Sequence, residues 1–86
     1  MPKVKITNEE NVLITTINLD YDVERGGFTF NDWFIEQVGG HITIKRWEAV
    51  KEKSFIWGTT RQQCLRHIWQ LENGQQVKPI YLRALY

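Results

Sequence analysis

Residues 60–74 read TRQQCLRHIWQLENG and carry the clearest structural signal in this chain. Thr60, with Gln63 three residues later, matches a capping box, in which the hydroxyl and the amide satisfy N–H groups that a helix leaves unpaired at its start. The Asn-Gly pair at 73–74 supplies a left-handed stop. Between these ends, a helical stripe of apolar side chains consists of Cys64, Leu65, Ile68 and Leu71. The segment therefore predicts an amphipathic helix over about residues 60–73 that buries one face.

Strand patterns flank this helix on both sides. Residues 41–50 predict a strand, and residues 54–58 predict its hairpin partner across a turn at 51–53. Beyond the helix, residues 77–86 alternate as a final strand, with Pro79 near its start, where a missing N–H does least harm. We expect these strands to supply the surface on which the helix packs.

The N-terminal part predicts a second hairpin and a short helix. Val4 and Ile6 alternate with two lysines, and after a polar cluster apolar and β-branched residues dominate residues 12–19, which indicates two strands joined by a turn. Residues 20–27 are expected to form a loop. Apolar residues then recur at helical spacing over residues 30–38 before a Gly-Gly pair, which predicts a helix of about two turns. The aromatic and β-branched residues in its middle would also suit a strand.

The predicted order of elements is β-β-α-β-β-α-β, with short connections. Such an order favours an α+β fold, in which an antiparallel or mixed sheet of about five strands is covered on one side by the helix at about residues 60–73. The chain has 86 residues, of which 42% are hydrophobic, enough for one core. We therefore expect residues 1–86 to form a single compact domain.

The composition also limits the setting of the protein. The chain shows no apolar run of membrane-spanning length, and its first residues alternate charge with hydrophobe instead of opening a signal peptide. Its one cysteine, Cys64, excludes an internal disulfide, and with two histidines it is too little for a structural zinc site. We therefore expect a cytoplasmic protein without a membrane partner.

Charge is distributed unevenly along the chain. Residues 1–44 hold three basic and seven acidic side chains, a net charge of −4, and residues 45–86 hold eight basic and three acidic side chains, a net charge of +5. The two parts can fold together and neutralise each other, present a surface to an acidic partner, or pair between two copies of the chain. The sequence leaves these alternatives open.

Residue types with catalytic or metal-binding chemistry are few. Cys64 and His67 stand three apart on the predicted helix and formally resemble a thiolate–imidazole pair, but Cys64 also belongs to the apolar stripe. Asp20, Asp22 and Glu24 alternate before a Gly-Gly pair without matching an EF-hand loop, so we expect them to solvate a loop or meet basic groups. We predict no catalytic residue, no cofactor and no metal site.

A basic and aromatic surface is the strongest candidate for function. Arg61, Arg66 and Trp69 lie away from the apolar stripe of the predicted helix, and Arg and Trp are enriched at binding hot spots. Lys45 and Trp47 stand in the preceding strand, whose alternation leaves open which of its faces is buried. We predict that these five residues bind a partner. The alternative is that Trp69 wraps the edge of the core with Arg66 lying over it.

These observations favour a small, non-catalytic protein-binding module of the inhibitor, adaptor or regulatory type, of the kind that phages and mobile elements encode. Its expected partner is another protein with an acidic surface. The alternative is a nucleic-acid-binding protein that uses the basic second part, which a net charge of only +1 weakens. The remaining hypotheses are a homodimer and a small nuclease-like toxin whose phosphate-binding and acid–base groups come from Arg61, Arg66, His67 or His41.

Overall fold

A computed structural model describes residues 3–39 and 45–84 of the chain. The strands are β1 (Lys3–Thr7), β2 (Leu13–Asn18), β3 (Asp20–Asp22), β4 (Gly27–Phe30), β5 (Trp33–Val38), β6 (Arg46–Lys51), β7 (Ser54–Gly58) and β8 (Leu82–Ala84). The α-helix, α1, spans Arg61–Glu72, and a short 3-10 helix spans Pro79–Tyr81. All strand pairs are antiparallel: β1 and β2 form a two-stranded sheet, and β3 to β8 form a six-stranded meander in chain order.

This architecture confirms the predicted α+β class. Ile35, Ala49 and Ile56 lie side by side in β5, β6 and β7, and each is fully buried. Above this row, α1 contributes the buried residues Cys64, Leu65 and Ile68 to the same core. The buried face of these strands, on which every second residue lies, and the apolar stripe of the helix thus pack against each other in one apolar layer.

Both ends of α1 lie where the sequence predicts them. Thr60 Oγ1 accepts a hydrogen bond from the N–H of Gln63 at 3.1 Å. The amide oxygen of Gln63 reaches back to the N–H of Thr59 at 2.7 Å, one residue earlier than a standard capping box requires. At the other end, Gly74 has a φ of +71°, and the N–H of Gln75 donates to the carbonyl of Gln70 at 2.8 Å. This pair of observations identifies a Schellman-type stop.

The predicted helix over residues 30–38 is wrong, because these residues form the β4–β5 hairpin. Asn31 and Asp32 both have positive φ angles, +47° and +68°, and they join Phe30 to Trp33 in a two-residue turn. Asn and Asp tolerate this left-handed backbone better than other side-chain residues, and the hairpin requires it. Among the described residues, no helix precedes α1. The loop predicted over residues 20–27 is also shorter than expected, because its first three residues form β3.

The last predicted strand is correct only in part. Residues 79–81 form the 3-10 helix, with Pro79 in its first turn, and only Leu82–Ala84 pair with β7 as β8. The carbonyl of Ile80 accepts a hydrogen bond from Trp57 Nε1 at 2.7 Å, which holds this segment against the sheet. The strand predicted over 41–50 is found from Arg46 onward, and its earlier residues up to 44 lie outside the described ranges, as do residues 85–86.

The β6–β7 hairpin resolves the ambiguity of its two faces. Trp47 and Ala49 lie on the face that α1 covers, and Ala49 is fully buried there. Glu48 pairs with Trp57, so both of these side chains lie on the opposite face. A two-residue turn joins the strands, and its first residue, Glu52, has a positive φ of +52°. The register therefore places Trp47 beside the core instead of on an open sheet surface.

The β1–β2 hairpin is attached to α1 through polar side chains. Gln62 Nε2 donates to the carbonyl of Lys5 at 2.6 Å, and Gln62 Oε1 accepts from the N–H of Thr7 at 2.9 Å. Arg66, one turn later, donates its Nε–H to the carbonyl of Thr7. These bonds satisfy three backbone groups of β1, while Ile6 and Ile17 enter the shared core.

Candidate functional site

The structure divides the five predicted partner-binding residues into separate groups. Arg66 lies at the contact between α1 and β1, where it is part-buried and donates to Thr7. Trp69 follows it one turn later and packs, half-buried, against the core. Trp69 thus packs at the edge of the core, as the alternative expects, while the guanidinium of Arg66 is directed to the backbone of β1.

Trp47 and Arg61, by contrast, come close together through a third residue. The ring of Phe28 lies 6.1 Å from the ring of Trp47 between centroids, and the guanidinium carbon of Arg61 lies 5.3 Å from the centroid of Phe28. The ring of Tyr21 also contacts Phe28, edge to face, with 5.2 Å between centroids. We call Tyr21, Phe28, Trp47 and Arg61 the aromatic–arginine patch.

Strand register builds the aromatic part of this patch. Tyr21 and Phe28 are direct neighbours across β3 and β4, so their rings project from the same face. That face is the one covered by α1 farther along the sheet, over β6 and β7. Tyr21 is 54% exposed, and Phe28 and Trp47 are half-buried. Edge-to-face and tilted rings at these distances stabilise one another by about 0.5–1.5 kcal/mol per pair, which favours a fixed row of rings.

Arg61 completes the patch from an electrostatically unfavourable position. It is the first residue of α1, where the partial positive charge of the helix end disfavours a cation, and the first turn holds no acidic residue. Within the described ranges, no carboxylate forms an ion pair with Arg61. Its visible interaction is with the face of Phe28, so the guanidinium keeps its hydrogen-bonding capacity for an external acceptor.

Two members of the patch were not predicted from the sequence. Tyr21 and Phe28 flank the turn between β3 and β4, and their juxtaposition depends on the register Tyr21↔Phe28. Aromatic residues on both sides of a short Gly-Gly turn would have been the signal for it.

Lys45 is exposed two residues before Trp47, and no hydrogen bond or ion pair in the described part of the chain fixes its side chain.

The candidate nucleophile and base serve the interior of the protein. Cys64 is fully buried, and burial, with a smaller effect from Glu48, raises the pKa of its thiol to about 12. His67 Nδ1 lies 2.9 Å from the carbonyl of Trp57, so this nitrogen carries a proton and donates it. Burial lowers the pKa of His67, and its ring stacks on Tyr81 at 4.5 Å. Neither group is presented to solvent in a reactive form.

The carboxylates near the β3–β4 turn have structural partners of their own. Asp22 accepts hydrogen bonds from the N–H of Arg25 at 3.1 Å and from its Nε at 2.8 Å. These side-chain and backbone bonds from Arg25 lower the pKa of Asp22. In the described ranges, no three His, Cys, Asp or Glu side chains gather as a metal site would require.

The observed ion pairs do not compensate the uneven charge between the two parts of the chain. Arg25 pairs with Asp22 inside the acidic part of the chain, and the other two pairs, Arg46–Glu48 and Lys51–Glu72, lie inside the basic part. Over residues 3–39 and 45–84, no ion pair joins the two parts. The interpretation that the parts neutralise each other by direct pairing therefore finds no support in the described residues.

No protein-family model, no curated protein and no solved structure matches this chain. Among the described residues, no helix has the length and apolar character needed to cross a membrane.

Proposed function

We propose that this chain is a small, non-catalytic protein-binding module that engages another protein through the aromatic–arginine patch. The observation that carries the proposal is Arg61, which lies over Phe28 at a helix end that disfavours a cation and forms no ion pair among the described residues. Positions at which a residue breaks a local stability rule are often functional sites. Rigid rings beside an arginine are also the composition of a binding hot spot.

The chemistry of the patch defines its partner. A planar guanidinium binds a carboxylate through two parallel hydrogen bonds, and the neighbouring rings of Tyr21 and Phe28 offer an apolar surface. The best fit is a protein surface that presents an Asp or Glu beside an aliphatic or aromatic side chain. A stable complex buries about 800 Å² per partner, so the patch forms its centre and exposed residues such as Lys45 form its rim.

Internal use of the reactive residues supports a binding role over catalysis. Cys64 has a protonated, buried thiol, and His67 is committed to the carbonyl of Trp57. A free buried thiol also fits a reducing, cytoplasmic setting. We propose that the module is an inhibitor, an adaptor or a regulatory subunit, because a compact domain of this size fits each of these roles. A phage or another mobile element is the proposed source, since such elements encode compact domains of this kind.

The basic residues favour protein over nucleic acid as the partner. Arg46 and Lys51 are paired with carboxylates, and Arg66 donates to the backbone of β1. Cations that are committed internally contribute less to a phosphate-binding surface. Nucleic-acid binding is accordingly the alternative function, and an experiment must distinguish it from protein binding.

The test compares partner capture by three charge and ring variants. Wild-type protein, Arg61→Glu, Tyr21→Ser and the control Lys53→Glu are used to capture partners from a lysate of the source cells, and a purified captured protein is then titrated by calorimetry. Lys53 is an exposed cation in the β6–β7 turn, so its reversal changes net charge equally. We expect binding to weaken at least about ten-fold for Arg61→Glu and Tyr21→Ser and to stay unchanged for Lys53→Glu.

The stability of Arg61→Glu separates lost binding from lost folding. The favourable interaction of Glu with the helix start offsets the lost contact with Phe28, so the free energy of unfolding should stay within about 0.5 kcal/mol of wild type. Equal partner affinity of wild type and Arg61→Glu would refute the role of the patch. Salt-sensitive retention of oligonucleotides that is lost in Arg61→Glu would instead support the nucleic-acid alternative.

A further inference from the structure

The outer edge of β2 differs from the other sheet edges in the described part of the chain. The outer edge of β1 is covered by Gln62 and Arg66 of α1. The edge strands of the meander, β3 and β8, have three residues each, and β3 carries two carboxylates. Short or charged edges of this kind resist pairing with another chain. β2 spans six residues, and among the described residues it pairs with β1 on one side only.

The composition of β2 gives this free edge no protection. Residues 11–19 read NVLITTINL and contain no charge, proline or glycine. Val12, Leu13 and Ile14 are 56%, 54% and 38% exposed. β-Branched, uncharged strands have a high tendency to pair, and an edge with free N–H and C=O groups is the template used in β-strand addition.

Carboxylates lie at the C-terminal end of this strand. An open groove of about 550 Å³ reaches from Asn18, the last residue of β2, to the β4–β5 turn, and its lining includes Asp20 and Asp32. Neither carboxylate forms an ion pair in the described part of the chain. Arg25 also lines the groove, but it is held by Asp22 and lies over the ring of Phe34. The groove therefore offers acidic groups to a ligand.

The N-terminal end of β2 is acidic as well. The turn from β1 to β2 contains Glu9 and Glu10, which are exposed and form no ion pair among the described residues. The nearby cations Lys3 and Lys5 belong to β1, so they lie on the side of β2 away from its free edge. An uncharged strand with carboxylates at both ends is thus available to a partner.

We propose that the free edge of β2 binds an extended peptide by strand addition, and that the peptide has an uncharged, β-branched middle and a basic residue at each end. The backbone of the peptide pairs with β2, and its basic side chains meet Glu9 and Glu10 at one end and Asp20 and Asp32 at the other. This site goes beyond the aromatic–arginine patch and is independent of it.

Charge distinguishes this occupant from a second copy of the chain. Antiparallel pairing of two β2 strands would bring Glu9 and Glu10 of one copy to the end of the other that carries Asp20 and Asp32. The same repulsion would occur twice, once at each end of the joined strands. A basic peptide removes the repulsion and replaces it with attraction, so the observations favour the peptide over the dimer.

The test uses the acetylated and amidated peptide Lys-Thr-Val-Thr-Val-Thr-Lys and ¹⁵N-labelled protein. We expect chemical-shift changes centred on β2 and Asp20, and slower hydrogen exchange at β2 amides that are not already paired with β1. A peptide of the same sequence with N-methyl groups on alternate residues keeps its charge but cannot form a ladder. Binding by the N-methylated peptide at equal affinity, or shifts centred elsewhere, would overturn the proposal.

Two charge variants test the groove end of the site. Neutralising the groove with Asp20→Asn and Asp32→Asn should weaken peptide binding by about three- to ten-fold, and Asn preserves the positive φ at position 32. Glu24→Gln removes an exposed carboxylate from the β3–β4 turn and should leave the affinity unchanged. If light scattering instead shows a dimer whose dissociation accompanies peptide binding, a second copy occupies the edge and the proposal is wrong.

Discussion

The helix α1 makes two contacts of opposite chemistry. Toward the six-stranded sheet it buries Cys64, Leu65 and Ile68 against apolar side chains, and toward β1 it uses Gln62 and Arg66 to bind backbone groups. We call these the apolar contact and the polar contact. Burial of a large apolar side chain stabilises by about 1.5–3 kcal/mol, and a typical hydrogen bond by about 1 kcal/mol net. The comparison shows that the polar face of an amphipathic helix can be an internal contact.

The largest expected effect is a cavity in the apolar contact. Ile68 is fully buried between α1 and the sheet, so Ile68→Ala should lower the free energy of unfolding by about 2–5 kcal/mol. Urea denaturation measured by tryptophan fluorescence gives this value directly. Val23→Ala, at a side chain that is 81% exposed, is the matched control and should change it by less than about 0.5 kcal/mol. Equal effects of the two variants would contradict the assigned core.

The next-largest effect is expected from a substitution that breaks the polar contact and leaves the apolar contact intact. Gln62→Ala removes the partner of the Thr7 N–H and of the Lys5 carbonyl, and we expect a loss of about 1–3 kcal/mol. Hydrogen exchange should accelerate at the Thr7 amide without acceleration at Ile56, inside the meander. The control is Gln70→Ala, because no side-chain hydrogen bond of Gln70 occurs among the described residues. Uniform acceleration across both sheets would show that the two contacts are not separable.

A substitution at the start of α1 should have a smaller effect and should weaken both contacts together. Thr60→Ala removes the side-chain cap of α1, and such losses cost about 1 kcal/mol. Because the cap fixes the start of the whole helix, exchange should accelerate to a similar extent along its first turn and at the hairpin amide of Thr7. Thr60→Ser keeps the hydroxyl and should restore the wild-type midpoint. If Thr60→Ala changed one contact alone, the helix would not be acting as one rigid unit.

Sequence patterns identified the apolar contact but not the polar one. Apolar residues at helical spacing have one physical interpretation, burial, and the stripe around Ile68 was predicted correctly. A polar residue such as Arg66 produces the same sequence pattern whether its side chain faces water or the edge of a strand. The β4–β5 turn was missed for a related reason, because Asn31 and Asp32 suit a helix start as well as a left-handed turn.

The candidate site was predictable only where it depends on residue type. Arg61 and Trp47 were predicted as partner-binding residues because of their chemistry, and the structure places both against Phe28. Tyr21 and Phe28 were missed because residues 20–27 were interpreted as a loop, and the contact requires the register between two strands, β3 and β4. Arg66 and Trp69 share a helix face with hot-spot composition, yet Arg66 donates to the backbone of β1 and Trp69 packs against the core.

The smallest expected effect is a pH dependence from His67, which lies between the two contacts of α1. Burial lowers its pKa below the unfolded value of 6.5, Arg66 and Lys78 lower it further, and the Trp57 carbonyl and Glu9 raise it. Well above pH 6.5 the imidazole is neutral in both states, so it adds no pH dependence there. As the pH falls from there through the lower folded pKa, the unfolded chain takes up the proton first, and the free energy of unfolding decreases.

Denaturation of a His41→Gln background at several pH values isolates this effect, and adding His67→Gln should remove it. The Asp22 carboxyl, whose folded pKa lies below 3.8, loses its stabilising effect only at much lower pH. A rise in stability on acidification from about pH 7 to about pH 5.5 would show that the imidazole is not held neutral against Trp57.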